Sequence, residues 1–153
     1  MTSQPDLSNP ALALSFLPLT LDIVQLRPSQ AVPPKLLAVL AGEGGSEAAE
    51  FVSLTRTPAE TSIIAPTTLS EEIWGAEGAE QPAEREGPWA VLKVAGPMDL
   101  SLSGILQALT TPLKAASIPI FASSTWDTDY VLIKETNKER AQAALSEAGW
   151  RFP

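Results

Sequence analysis

Apolar and polar positions along this chain keep two different periods, and the switches between them divide it into elements. Leu17, Leu19, Leu21 and Ile23 alternate with Pro18, Thr20 and Asp22, the period of two expected of a strand with one buried face. Pro18 has no N–H to give to a ladder, so the start of that strand is predicted at a sheet edge. Pro34 suits a first helical position, with Leu36, Leu37 and Leu40 as an apolar stripe and Gly42 as the stop. Residues 51–56 and 60–65 then read as two strands around Thr57-Pro58, and a helical turn is predicted near Ser70.

The second half repeats this order with clearer signals. An apolar run at 89–95 is ended by Gly96-Pro97, and Leu102, Ile105, Leu106, Leu109 and Leu113 then follow a helical period in which Pro112 predicts a kink. Two extended runs, 118–125 and 128–134, precede a helical pattern over 137–148. That last helix carries Thr136-x-x-Glu139 as a capping box and Gly149 as its stop, and Trp150 and Phe152 open a final short strand. A β-α-β-β-α order whose crossover helices return to one sheet face builds an antiparallel ferredoxin-like sandwich. The expected fold is therefore α+β, with two ferredoxin-like units, the first with a stunted last helix, antiparallel sheets and helices on one face. Glu60-Thr-Ser-Ile-Ile64 aligns with Asp127-Thr-Asp-Tyr-Val131 at a shift of 67, and Phe51-Val-Ser-Leu with Phe121-Ala-Ser-Ser at 70. A duplicated unit with three extra residues in its first hairpin accounts for both alignments. The expected division is a loose N-terminal tail at 1–12, an N-terminal unit at 13–74, an acidic flexible linker at 75–87 and a C-terminal unit at 88–153.

Composition narrows what such units can do. With 153 residues and 44% apolar content, the chain can bury one ordinary core or two small units sharing one. It has no cysteine and no histidine, which removes disulfides, thiolate nucleophiles, the usual zinc ligand sets and the commonest general base. A net charge of −8 argues against a phosphate-binding surface, so no nucleic-acid partner is expected. Residues 71–86 hold six glutamates against Arg85, so much of the acidity reads as a solvated connection. No apolar stretch nears the roughly 20 residues that span a bilayer, and the N-terminus lacks the basic start of a secretory signal. The sequence reads as cytoplasmic, with no membrane partner.

Two stretches carry candidate chemistry. In the loop Gly96-Pro97-Met98-Asp99-Leu100-Ser101, Asp99 or Ser101 can cap the following helix, worth about 1 kcal/mol. The same helix start, with exposed N–H groups and partial positive charge, can instead receive a small carboxylate. In the hairpin from Ser123 to Tyr130, Asp127 or Asp129 can hold a cationic group while Ser123, Ser124 or Thr125 offers hydrogen bonds. A solvated turn whose Asp and Thr satisfy nearby backbone is the competing reading. Asp127-Thr-Asp129 alone is too few carboxylates for a divalent cation, so no metal is expected. Trp126 reads as a packing residue or lid. Serine nucleophiles lack a base, and no Gly-rich run ends in Lys, so binding is favoured over catalysis. An enzyme using Asp99 or Asp129 as acid/base is the remaining catalytic reading.

Gly96-Pro-Met-Asp-Leu-Ser-Leu-Ser-Gly104, followed by Ile118-Pro-Ile-Phe-Ala-Ser-Ser-Thr-Trp-Asp-Thr-Asp-Tyr-Val-Leu-Ile133, resembles the ACT domains of the CASTOR type, found in cytosolic arginine sensors and in small bacterial and fungal ACT proteins. Phe51-Val-Ser-Leu-Thr-Arg-Thr57 with Glu60-Thr-Ser-Ile-Ile64 is similar to the partner ACT domain of those proteins. The resemblance implies two ACT (βαββαβ) units, pairing of ACT units through helices or strand edges, and amino-acid binding between units; no cofactor is expected. It places the ligand's carboxylate and amino group at Gly96, Pro97, Met98, Asp99 and Ser101, and its side chain at Ser123, Ser124, Thr125 and Asp129. A cationic amino acid, arginine first, is the implied ligand. The CASTOR sensors carry four such units and this chain has room for two, so a homodimer would supply the missing pair. The alternatives are a ligand-free scaffold for dimerisation or protein docking, and a detached regulatory subunit of an amino-acid biosynthetic enzyme such as an aspartate kinase.

Overall fold

The computed structural model describes residues 4–43, 51–98 and 104–153. Its elements in chain order are β1 (Leu14–Leu26), α1 (Pro34–Leu40), β2 (Ser53–Arg56), β3 (Thr61–Pro66), α2 (Thr67–Trp74), β4 (Glu84–Val94), α3 (Ile105–Ala115), β5 (Ile120–Ser124), β6 (Asp129–Lys134) and α4 (Lys138–Glu147). The α+β class with antiparallel, ferredoxin-like pairing predicted from the periods is the one observed. The chain forms two compact units. One is continuous, Leu19–Pro88, and is called the inserted unit; the other joins the residues up to Pro18 to Trp89–Pro153 and is called the split unit.

The inserted unit has the strand order β2-β3-β1-β4. Its fourth strand is the start of β4, tied to β1 by the Ala83 N–H donating to the Gln25 carbonyl at 2.9 Å. Val24, Leu26, Ile63 and Ala65 point every second residue into one core, which Leu36, Val39, Leu69 and Trp74 of the two helices complete. In α1 the buried face is Leu36 and Val39. Leu37 and Leu40, predicted on the stripe, are each 49% exposed. A seven-residue helix offers two inward positions three apart, and Leu36 fixes which two they are. Pro34 and Gly42 stand as predicted at its two ends, Gly42 with φ +89°.

The split unit has the order β1-β4-β6-β5. Its core takes Leu92, Val94, Val131 and Ile133 from the strands, Ile105, Leu109 and Leu113 from α3, and Ala141 and Leu145 from α4. The place of a fourth strand is filled from the N-terminal end of the chain. Leu12 and Leu14 enter this core, Phe16 stacks on Phe152 with ring centroids 6.0 Å apart, and the Ala95 N–H donates to the Ala13 carbonyl at 2.8 Å. Residues 4–12, read as tail, include a 3-10 turn (Pro10–Leu12) capped by the Asn9 side chain; Arg151 bonds the Leu7 and Ser8 carbonyls. The strand predicted from Trp150 does not form. Arg151 instead contributes one carbonyl, which accepts from the Leu14 N–H at 2.8 Å.

Pro18 belongs to the outermost strand of the split unit, and β3 pairs with β1 only from Leu21 onward, which is where a residue without an N–H fits. The stretch read as linker is divided between elements. Glu84 to Gly87 open β4, and the Gln81 amide donates to the Trp74 carbonyl at 2.8 Å. The glutamate-rich composition concealed a strand because Arg85 and Gly87 answer Asp22, as described below. Pro112 lies inside α3, which continues to Ala115. Asp99, Ser101 and Leu102 lie outside the described residues. α3 begins at Ile105 behind Gly104, with no side-chain cap. α4 likewise starts without a side-chain cap, because a 3-10 turn over Glu135–Asn137 takes up the predicted capping box.

The hairpins correct the repeat. Arg56 pairs with Thr61 and Ser124 with Asp129, so both turns have the same length and correspond at a uniform shift of 68. In both, the first threonine donates its N–H to the carbonyl three residues on, Thr57 to Glu60 at 2.8 Å and Thr125 to Thr128 at 2.9 Å. The shift of 67 fails because a slip of one residue exchanges sheet faces, and Ile63 and Val131 both point inward.

Candidate functional site

The split unit brings the two predicted stretches together. Thr128, only 4% exposed, donates its hydroxyl to the Val94 carbonyl at 2.6 Å, anchoring the β5–β6 turn on the end of β4. The Met98 N–H donates to the Asp127 carbonyl at 2.7 Å. Gly96, with φ +68°, allows this approach, since a Cβ there would stand 3.0 Å from the Asp127 carbonyl oxygen and 3.2 Å from the Thr128 Cβ. On its other side the Gly96 N–H donates to the Ala11 carbonyl at 2.9 Å. The loop is therefore held between the N-terminal segment and the hairpin turn. Loop and turn touch through their backbones here, which leaves no room for a small molecule between Met98 and Asp127.

On the hairpin, the Ser124 hydroxyl donates to Asp129 Oδ1 at 2.5 Å. Asp129 Oδ2 accepts no bond from the described residues, and neither Asp127 nor Asp129 forms an ion pair with them. Ser123 lies opposite Tyr130 in the strand register, half-buried, and Thr125 spends both its N–H and its hydroxyl on the Thr128 carbonyl. Thr125 is thus a turn residue first, as the solvated-turn reading required. Trp126 is 80% exposed and packs on no core. Pro97 follows Gly96 through a cis peptide bond. Thr128 and Ala11 were missed as supports: a threonine in a polar turn and an alanine in an apparent tail carry no local signal of the bonds they make across the fold.

The arrangement supplies hydrogen-bond acceptors and a free carboxylate edge beside a braced loop. Among the described residues there is no group of three or more metal-ligating side chains, and no helix is long and apolar enough to cross a membrane.

A helix-backed antiparallel sheet with a tight loop after its first strand defines the fold class, and comparison with known proteins narrows it. Residues 84–147 match the model of the ACT domain family, so an ACT domain is present in this chain. Comparison with curated protein sequences gives no match. Among solved structures, the chain is similar to a protein of Agrobacterium tumefaciens at 28% identity, covering 92% of this chain and 91% of that one, with a TM-score of 0.68. It is similar in fold to the regulatory subunit of aspartate kinase from Thermus thermophilus in its ligand-free form, at 16% identity, 89% and 97% coverage and a TM-score of 0.61. A Vibrio cholerae protein described as a possible transport protein gives 13% identity, 91% and 93% coverage and a TM-score of 0.61.

Proposed function

We propose that this protein is a regulatory module that binds a free cationic amino acid, arginine being the first candidate, at the loop and hairpin of its ACT domain. The observation that carries this reading is the Asp129 carboxylate: Ser124 fixes one oxygen, and the other is open to a cationic side chain next to the backbone of the Gly96–Met98 loop. Gly96, Pro97 and Met98, with Asp99 and Ser101 beyond them, receive the ligand's α-groups; Ser123, Ser124, Thr125 and Asp129 receive its side chain. A second copy of the chain closes the site in a homodimer. Binding regulates by favouring one of two assembly states, which requires the ligand to prefer that state. The protein acts without catalysis of its own.

A second reading is favoured by the coverage of the Thermus thermophilus aspartate kinase regulatory subunit, 97% of which is matched by this chain. On that reading the module is a detached regulatory subunit docked onto an amino-acid biosynthetic enzyme. The two share the ligand site and differ in partner.

Thermal unfolding with each standard amino acid tests the proposal. A ligand at one hundred times its dissociation constant adds about 2.7 kcal/mol of stability. Arginine or lysine is expected to raise the transition, and Asp129→Ala to abolish that rise while leaving the unliganded transition in place. An unchanged rise in Asp129→Ala, or no rise with any amino acid, overturns the assignment.

A further inference from the structure

On the helical side of the split unit, a cleft of about 400 Å³ lies between the N-terminal segment, the first turns of α3 and the end of α4. Ligand pockets typically hold roughly 300–1,000 Å³, so this one is sized for a small molecule. Its apolar walls come from Leu7 and Ala108, both packed on the core, and from the buried Trp150. Space is left because the residues around the opening are small. A Cβ on Gly104 would meet nothing within 4 Å, and Ala148 presents only a methyl group.

The polar groups are as informative as the apolar ones. The side-chain amides of Gln4 and Gln107 line the cleft and bond to no described residue, whereas Thr111 already gives its hydroxyl to the Gln107 carbonyl at 2.7 Å. Among the described residues, no lining side chain carries a charge. A charged ligand entering here would lose hydration with nothing to neutralise it, whereas a neutral amide can both donate to and accept from the glutamine amides. None of the described loop and hairpin residues of the proposed amino-acid site, Gly96 to Met98 and Ser123 to Asp129, lines this cleft.

We infer that the cleft is a second binding site, selective for an uncharged small molecule with a compact apolar body and an amide-like donor–acceptor pair. The apolar body lies against Leu7, Ala108 and Trp150, and the amide meets Gln107 and Gln4. The site stands whether or not the hairpin binds an amino acid.

Amide-resolved NMR of the full chain tests it, with N-acetyl-L-leucinamide as the neutral probe and free arginine as the charged one. The neutral probe is expected to shift the resonances of Gly104, Ala108, Ala148 and the Trp150 indole, saturably. Ala148→Leu, on an exposed position, fills the cleft, and Gln107→Ala removes one amide; each should weaken the probe at least tenfold while keeping the wild-type spectrum elsewhere. No saturable shift at these residues, or equal affinity in both variants, overturns the inference. Arginine shifting only the loop and hairpin leaves the second site to be judged by the neutral probe alone, so either assignment can fail without the other.

Discussion

The inserted and split units share a strand order and a hairpin turn, yet they hold their fourth strands by different physics. In the inserted unit, Asp22 is 3% exposed and accepts from Arg85 Nε at 2.8 Å and from the Thr67 hydroxyl at 2.9 Å, while Arg85 also pairs with Glu71 at 2.6 Å. Burial disfavours the Arg85 cation, but the bonds to Asp22 and Glu71 outweigh it and hold its pKa above the ordinary value. Gly87 lies so close to the Asp22 carboxylate that a Cβ would collide with it. The shift of 68 puts Ala90 where Asp22 stands, the one opposite Ile133 and the other opposite Ala65. Ala90 brings no charge to that position. Its fourth strand is held by Leu12, Leu14 and Phe16. One fourth strand is latched by charge, and the other is retained by apolar burial, which needs less angular precision.

The largest expected effect follows from removing that segment. A chain beginning at Leu19 loses two buried leucines and Phe16 from the split unit, each buried leucine worth about 1.5–3 kcal/mol, together with a strand position. Its Trp150 fluorescence and amide dispersion should be those of an unfolded unit. A native spectrum for residues 89–153 would show that the N-terminal segment is dispensable. Next comes Asp22→Ala, which leaves Arg85 without its buried partner and should cost about 3 kcal/mol in denaturant unfolding. Asp22→Leu combined with Arg85→Met should recover most of that loss. Gly96→Ala is smaller, about 1–2 kcal/mol, because φ +68° and the Asp127 carbonyl both oppose a side chain. It should also displace the Thr125–Thr128 turn resonances, which no change in the inserted unit would do.

Local elements were legible in the sequence because their signals are local. Pro34, Gly42, the alternation in β3 and β6 and the helical period of α3 need only neighbours within a few residues. Three features were not legible, each for a long-range reason. Glu84 to Gly87 looked like linker because the partner that makes them strand is Asp22, more than sixty residues away. The N-terminal residues looked loose because their core is built from the far end of the chain. The repeat was misaligned, by one residue at the shift of 67 and by two at 70, because a match of residue types does not report the strand register. At the candidate site, Asp129 and Ser124 were visible as a polar cluster on an apolar hairpin. Their supports, Thr128 on Val94 and Ala11 on Gly96, were not, since both are bonds to backbone.

The central claim is that a cationic amino acid binds where the Gly96–Met98 loop meets the hairpin. It is tested most directly by titrating arginine into the full chain and following backbone amides by NMR. Saturable shifts confined to Gly96, Met98 and residues 123–129, lost in Asp129→Ala, are the predicted result; shifts located elsewhere, or a titration that Asp129→Ala leaves unchanged, would contradict it.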